Sequence, residues 1–236
     1  MTQWLAVFAF LPLADWLGLV TFVGGWLVYA WFARRRALTH PSILVSTNRI
    51  RRAWMLQTTY RDVRMLDGAV IQNLSTSPSF FASTTILIIG GLLAVLGTTE
   101  KASEFVREIP FAVRTSALVF DLKVVVMLAV FVYAFFRFTW SMRQYTFGAL
   151  LIASAPEAKQ FEAEKLPRDA FAERAGRVVG MAAETFNDGL RAYYFSFAAM
   201  SWFFSPWLFL AGTAGVIYVL YQREFHSDVL AVLNSI

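Results

Sequence analysis

Four long apolar stretches between Trp4 and Gln222 decide what this chain can become. A hydrocarbon layer about 30 Å thick accepts a helical segment of about 20 apolar residues and almost nothing else. The stretches place membrane spans near residues 11 to 32, 79 to 98, 114 to 137 and 194 to 222. Only 16% of the 236 residues are charged while 58% are hydrophobic, so a water-soluble monomer would lack the polar surface to cover itself. The first stretch has no basic start, runs long, and carries Pro12 and Asp15, which sets it apart from the plain apolar core of a cleaved secretory signal.

Orientation follows from the cations. Of the 21 Lys and Arg, 16 fall between the first and second stretches or between the third and fourth, and loops with that excess stay in the cytoplasm. The net charge of +5 has the same origin, because the basic residues flank apolar spans where anionic headgroups attract them; no nucleic-acid partner is expected. The expected fold is a single all-α transmembrane domain over residues 1–236 in the inner cell membrane. Its four transmembrane helices are extended by amphipathic cytoplasmic helical segments, 33–78 and 138–193. A short outer helical segment over 225–236 has Ser227 as its candidate cap, and both termini lie outside the cytoplasm.

Within the first loop, residues 46–73 read as one amphipathic helix capped by Ser46 or Thr47, and Leu-Ser-Thr-Ser-Pro-Ser at 74–79 reads as its break. In the second loop Pro156 and Pro167 bracket a short charged helix. A longer one follows from Arg168 to about Phe186, whose Ala172, Ala175, Gly176, Gly180 and Ala183 suit close packing. The loop carboxylates, Glu173 and Glu184 among them, alternate with cations and read as a solvated face. Pro206 is expected to kink the fourth span.

The residue types that carry chemistry are scarce. There is no cysteine, hence no disulfide, thiol nucleophile or sulfur-ligated metal. His40 and His226 fall on opposite sides of the membrane in this topology and cannot share a ligand. With no catalytic triad, metal cluster or phosphate loop in view, the chain reads as a non-enzyme with no catalytic residue, cofactor or metal.

The costliest side chains are Asp15 in the first span and Asp121 and Lys123 in the third, since an ionisable group at bilayer depth costs about 3 kcal/mol on insertion scales. Asp15 lies 19 residues before Arg34, about 28 Å of helix, and Lys123 lies 14 residues before Arg137, about 21 Å. Both belong to the outer half, where they are positioned to pair. Asp121 points about 160° away from Lys123 on the same helix and is expected to look to Arg114 or a neighbouring subunit. The thin face of the second span (Gly90, Gly91, Ala94 and Gly97) suits bundle packing or the wall of a pore.

Several separated stretches carry a family resemblance: Asp15-Trp16-Leu17, His40-Pro41, Asn48 to Trp54, Phe81 to Thr85, Leu122-Lys123, Ser141 to Tyr145 and Gly189 to Phe197. In that order they resemble the bacterial and plant membrane proteins grouped as domain of unknown function 599. The resemblance implies a four-span integral membrane protein with no settled activity, so no catalytic assignment carries over. It draws attention to Asp15, Asn48, Arg51, Arg52, Lys123, Arg143 and Arg191, which lie inside the resembling stretches.

Four spans enclose little space, so a pathway would form on the axis of a homo-oligomer. The expected function is an oligomeric channel or transporter-like assembly for small ions. Its cytoplasmic vestibule, formed by Asn48, Arg49, Arg51, Arg52, Arg143 and Arg191, would favour anions. The competing expectation is a non-conducting scaffold whose same arginines hold anionic phospholipid headgroups of the bilayer.

Overall fold

The computed structural model describes residues 11–99 and 116–235, and every element within them is a helix. In chain order they are α1 (Leu13–Arg36), α2 (Ile43–Thr58), α3 (Met65–Gly97), α4 (Ala117–Ala153), α5 (Ala158–Ala163), α6 (Arg168–Ser201), α7 (Pro206–Phe225) and α8 (Asp228–Asn234). The helices form two compact units. The first comprises the chain through Thr39, Thr85–Tyr133 and Arg191–Arg223; the second comprises His40–Thr84, Ala134–Leu190 and the chain from Glu224 on.

Three helices, α1, α3 and α4, are long and apolar enough to cross a membrane, and their most apolar windows are only 22%, 11% and 44% buried. Leu17, Val20, Leu27 and Val28 of α1 and Leu87 and Leu93 of α3 are exposed. Apolar helices with so much uncovered surface suggest a membrane protein. The first and third sequence-derived spans fall on α1 and α4, the former from Leu13 and the latter from Ala117 on; Arg114 lies outside the described residues.

The expected fourth span is not among the three and is not one continuous helix. Residues 194 to 222 divide between the end of α6 and α7, with a turn over Trp202–Phe204 before Ser205 and Pro206. Tyr194 and Arg223, which a continuous helix would hold about 43 Å apart, touch: the Arg223 guanidinium lies 5.2 Å from the Tyr194 ring centre and donates to its hydroxyl. The two legs pack so closely that a Cβ at Gly212 would lie 3.4 Å from the Ala198 backbone. Pro206 starts a helix, where its missing N–H removes no bond, and does not kink one.

Two breaks fall elsewhere than expected. Helix α3 runs through 74–79 with Pro78 inside it. A proline there sacrifices one hydrogen bond, and Ser75 and Thr76 turn their hydroxyls back onto the Gln72 carbonyl. The 46–73 segment is divided. Helix α2 begins one turn early, with Ser42 accepting from the Val45 N–H, and stops at Thr58. Its last turn is closed by the Thr58 and Thr59 hydroxyls, which donate to the Met55 and Leu56 carbonyls at 2.7 Å. Arg64 Nε donates to the Thr58 carbonyl at 3.1 Å, and Arg168 donates to that of Thr59. Cations thus occupy the negative end of the helix.

Helix α8 corrects a further expectation. Its N-cap Ser227 is as read from sequence, accepting from the Leu230 N–H, but the helix packs against α2, with the Ser46 hydroxyl donating to Asn234 Oδ1 at 2.9 Å. Segments assigned to opposite sides of the membrane are neighbours. His40 and His226 likewise share the second unit.

In the first unit aromatic rings do most of the packing: Trp202 stacks on Phe209 (4.8 Å) and Trp26 on Phe195 (5.1 Å), with Phe22 between the two pairs. In the second unit the small residues of α6 admit α2, since a Cβ at Gly176 would lie 3.0 Å from Arg52 Cα. That neighbour is backbone and cannot rotate away. Gly176→Leu is therefore expected to destabilise by about 1–3 kcal/mol, lowering the detergent melting midpoint by roughly 2 to 10 °C. Gly24→Leu, with nothing within 4 Å, should leave the midpoint within about 2 °C in the same scan.

Candidate functional site

Two groups of polar side chains stand out, one in each unit. In the first unit Asp15 and Lys123, only 3% and 2% exposed, meet around the buried Trp202. The Trp202 indole N–H donates to Asp15 Oδ1 at 2.6 Å, and Lys123 Nζ donates to the Trp202 carbonyl at 2.9 Å. The carboxylate and ammonium lie 4.0 Å apart. The pairing read from helix depth is present, but the tryptophan between them was missed. Its sequence signal was there, as an aromatic with a hydrogen-bonding edge in a stretch otherwise fit only for packing.

Asp121 turns elsewhere, accepting from the Thr99 hydroxyl at 2.6 Å. Arg191 belongs to this unit as well, its guanidinium 5.8 Å from the Tyr29 ring centre.

The second group lines a cleft of about 710 Å³ between α2 and α6. Helix α2 contributes Val45, Asn48, Arg49 and Arg52, spaced on one face; α6 contributes the stripe Glu173, Gly176, Arg177, Gly180, Met181 and Glu184. Glycine leaves room on the floor, because a Cβ at Gly180 would lie 2.9 Å from Asn48 Oδ1 and push that amide aside. Asn48 Nδ2 donates to Glu184 Oε1 at 3.1 Å, while Arg51 Nη1 donates to Asn48 Oδ1 at 2.7 Å. Burial pulls the Arg51 guanidinium below its usual range, and the charges of Tyr145 and Glu184 oppose that shift. Arg52 pairs with Glu173 at 2.8 Å.

Both cleft carboxylates are thus engaged by cations or amides. Arg49 and Arg177, both exposed, have no hydrogen-bonding or acidic partner among the described residues. The cleft carries uncompensated positive charge in a fixed, glycine-floored recess, a setting suited to an anion's oxygens. Of the residues expected to act together, the structure unites Asn48, Arg49 and Arg52, with Arg51 behind them. It leaves out the exposed Arg143 and places Arg191 in the other unit. Arg177 was read as part of a solvated face. Its place four residues from Glu173 and beside Gly176 was the available clue.

Residues 17–229 match the family described as "Protein of unknown function, DUF599", as the motif resemblance implies. No curated protein and no solved structure matches the chain.

The Asp15–Trp202–Lys123 arrangement makes a stability prediction. Lys123→Met leaves a buried carboxylate without its counter-charge and should cost about 3 kcal/mol. Adding Asp15→Asn keeps an acceptor for the indole while removing the stranded charge, and should return at least 1 kcal/mol of that loss. Thermal unfolding of the two single variants and the double variant in one detergent measures the coupling; strictly additive effects would contradict it.

Proposed function

Because the chain belongs to the family of proteins of unknown function DUF599, membership brings no activity with it, and we propose from the geometry that this is a non-enzymatic membrane protein that binds phosphate-bearing anionic lipid headgroups in the α2/α6 cleft. The observation that carries the reading is the pair of guanidinium groups, Arg49 and Arg177, that have no partner among the described residues and line a cleft whose carboxylates are already engaged. A headgroup phosphate suits two guanidinium groups better than a cation or a neutral ligand would, and the exposed apolar helices keep the protein among lipids.

Arg49→Gln/Arg177→Gln should weaken retention of anionic lipid about 30-fold, since each arginine near a lipid surface contributes about 1 kcal/mol. Titration of detergent-solubilised protein with anionic and zwitterionic lipids, read by native mass spectrometry, measures this. Arg143→Gln, outside the cleft, serves as the control with unchanged binding. Raised salt should lower the wild-type preference for anionic lipid, and equal retention by wild type and double variant would sink the proposal.

An oligomeric channel or transporter-like assembly for small ions is the second reading. It is favoured by α3, whose window is 11% buried and whose Gly90, Gly91 and Gly97 have nothing within 4 Å to fill the space beside them. Such a thin face accommodates a second helix at short distance. A subunit count of four or more in lipid nanodiscs is the expected result of this reading, and a monomer removes it.

A further inference from the structure

We infer that the stretch from Tyr194 to Arg223 never crosses the membrane: it is a re-entrant hairpin that enters and leaves at the Arg34–Arg36 end of α1, with its tip held inside the bilayer. The inference rests on the membrane reading above and otherwise on contacts within the first unit. Helix α1 serves as the ruler. At its basic end, the Arg36 guanidinium lies 5.6 Å from the Tyr221 ring centre, Phe32 packs against Tyr221, and Arg191 covers Tyr29. At its far end, Asp15 accepts from the Trp202 indole. Both legs therefore start at one end of α1 and the turn lies at the other.

Depth follows from helix rise. Asp15, level with the tip, lies 19 residues from Arg34, about 28 Å, so the hairpin reaches deep into a hydrocarbon core about 30 Å thick; Arg191 to Trp202 makes up 11 residues, about 16 Å, of that depth. Lys123, which holds the tip, lies six residues inside the start of α4 at Ala117, so the tip stops about 9 Å short of that helix end.

Irregular backbone survives at such depth only if its polar groups are satisfied within the protein. In this turn the N–H groups are, and so is the Trp202 carbonyl. The N–H groups of Trp202, Phe203, Phe204 and Ser205 donate to the carbonyls of Ala199, Met200, Ser201 and Ser201 respectively. Pro206 has no N–H to satisfy, Trp207 donates to Ser205 Oγ at 3.2 Å, and the Trp202 carbonyl is taken by Lys123. The hairpin also resolves a charge anomaly. Arg223, the cation that a fourth crossing would strand on the far side, joins the basic side. The packing of α8 on α2 in the second unit requires the same placement independently.

The chain has no cysteine, so single cysteines report cleanly. Leu38→Cys, Leu118→Cys and Val229→Cys replace side chains that are 81%, 52% and 58% exposed, and Phe204→Cys sits at the tip. Full-length protein in sealed, uniformly oriented vesicles is treated with a membrane-impermeant maleimide before and after permeabilisation. The expected result is labelling of Leu38→Cys and Val229→Cys from one side, of Leu118→Cys from the other, and of Phe204→Cys from neither. Labelling of Val229→Cys from the Leu118 side, or of Phe204→Cys from that side before permeabilisation, overturns the hairpin. Release of the protein by alkaline carbonate overturns the membrane reading instead, so the two failures are distinguishable.

Discussion

The hydrogen bond from Lys123 to the Trp202 carbonyl holds together the part of this structure that has least right to exist. A helix that stops inside an apolar surrounding leaves carbonyls with no water to receive. At the end of α6 one of these is answered by an ammonium at 2.9 Å, and the negative end of the helix dipole favours a cation in that position. The Asp15 carboxylate is farther from the ammonium, at 4.0 Å, and bonds the indole of the same tryptophan at 2.6 Å. The distances rank the contacts: Lys123 acts first as a helix cap, and Asp15 supplies the counter-charge and fixes the ring. Trp202 then stacks on Phe209, against which Gly18 of α1 packs without room for a Cβ, so the turn, α1, α4 and α7 are tied at one point.

Helix α6 meets different demands along its length. Between Arg168 and Leu190 its small residues admit α2 and build the cleft, with Gly176 against the Arg52 backbone and Gly180 against the Asn48 amide. From Arg191 on, it forms a hairpin leg whose partner α7 approaches at Gly212. In both stretches glycine permits helices to come closer than side chains allow, and the closeness fixes which polar groups face one another.

Charge and depth were legible in the sequence. Asp15 and Lys123 could be set near each other by counting helix rise from Arg34 and Arg137, and Ser227 announced α8. The fourth span was not legible, because a hydropathy window over 194–222 sums the two legs of a hairpin and cannot see that they are antiparallel. The turn itself, Trp-Phe-Phe-Ser, contains no glycine, and Pro206 is as common at a helix start as at a kink. Pro78 failed in the opposite direction: a strong local break signal was overridden by a long helix that continues on both sides of it. Arg177 was hidden by its neighbours, since alternating charge describes a solvated face and a lined cleft equally well until the opposing helix is known.

The arginines of the second unit divide by what they touch, and that division separates architecture from availability. Arg61 and the Trp54 indole share the buried Asp67; Arg64 clasps the Thr58, Ala155 and Pro156 carbonyls; Arg137 pairs with Asp188; and Arg168 reaches Thr59 and Ala158 while lying 4.2 Å from the Tyr60 ring centre. Each of these closes a helix end or neutralises a buried carboxylate, so its loss leaves an uncompensated group behind and falls on folding. Arg49 and Arg177 leave nothing uncompensated among the described residues when removed. A guanidinium whose removal costs the fold little, held at the edge of a recess by glycine-packed helices, stays available to an anion, and the proposed headgroup reading rests on that availability.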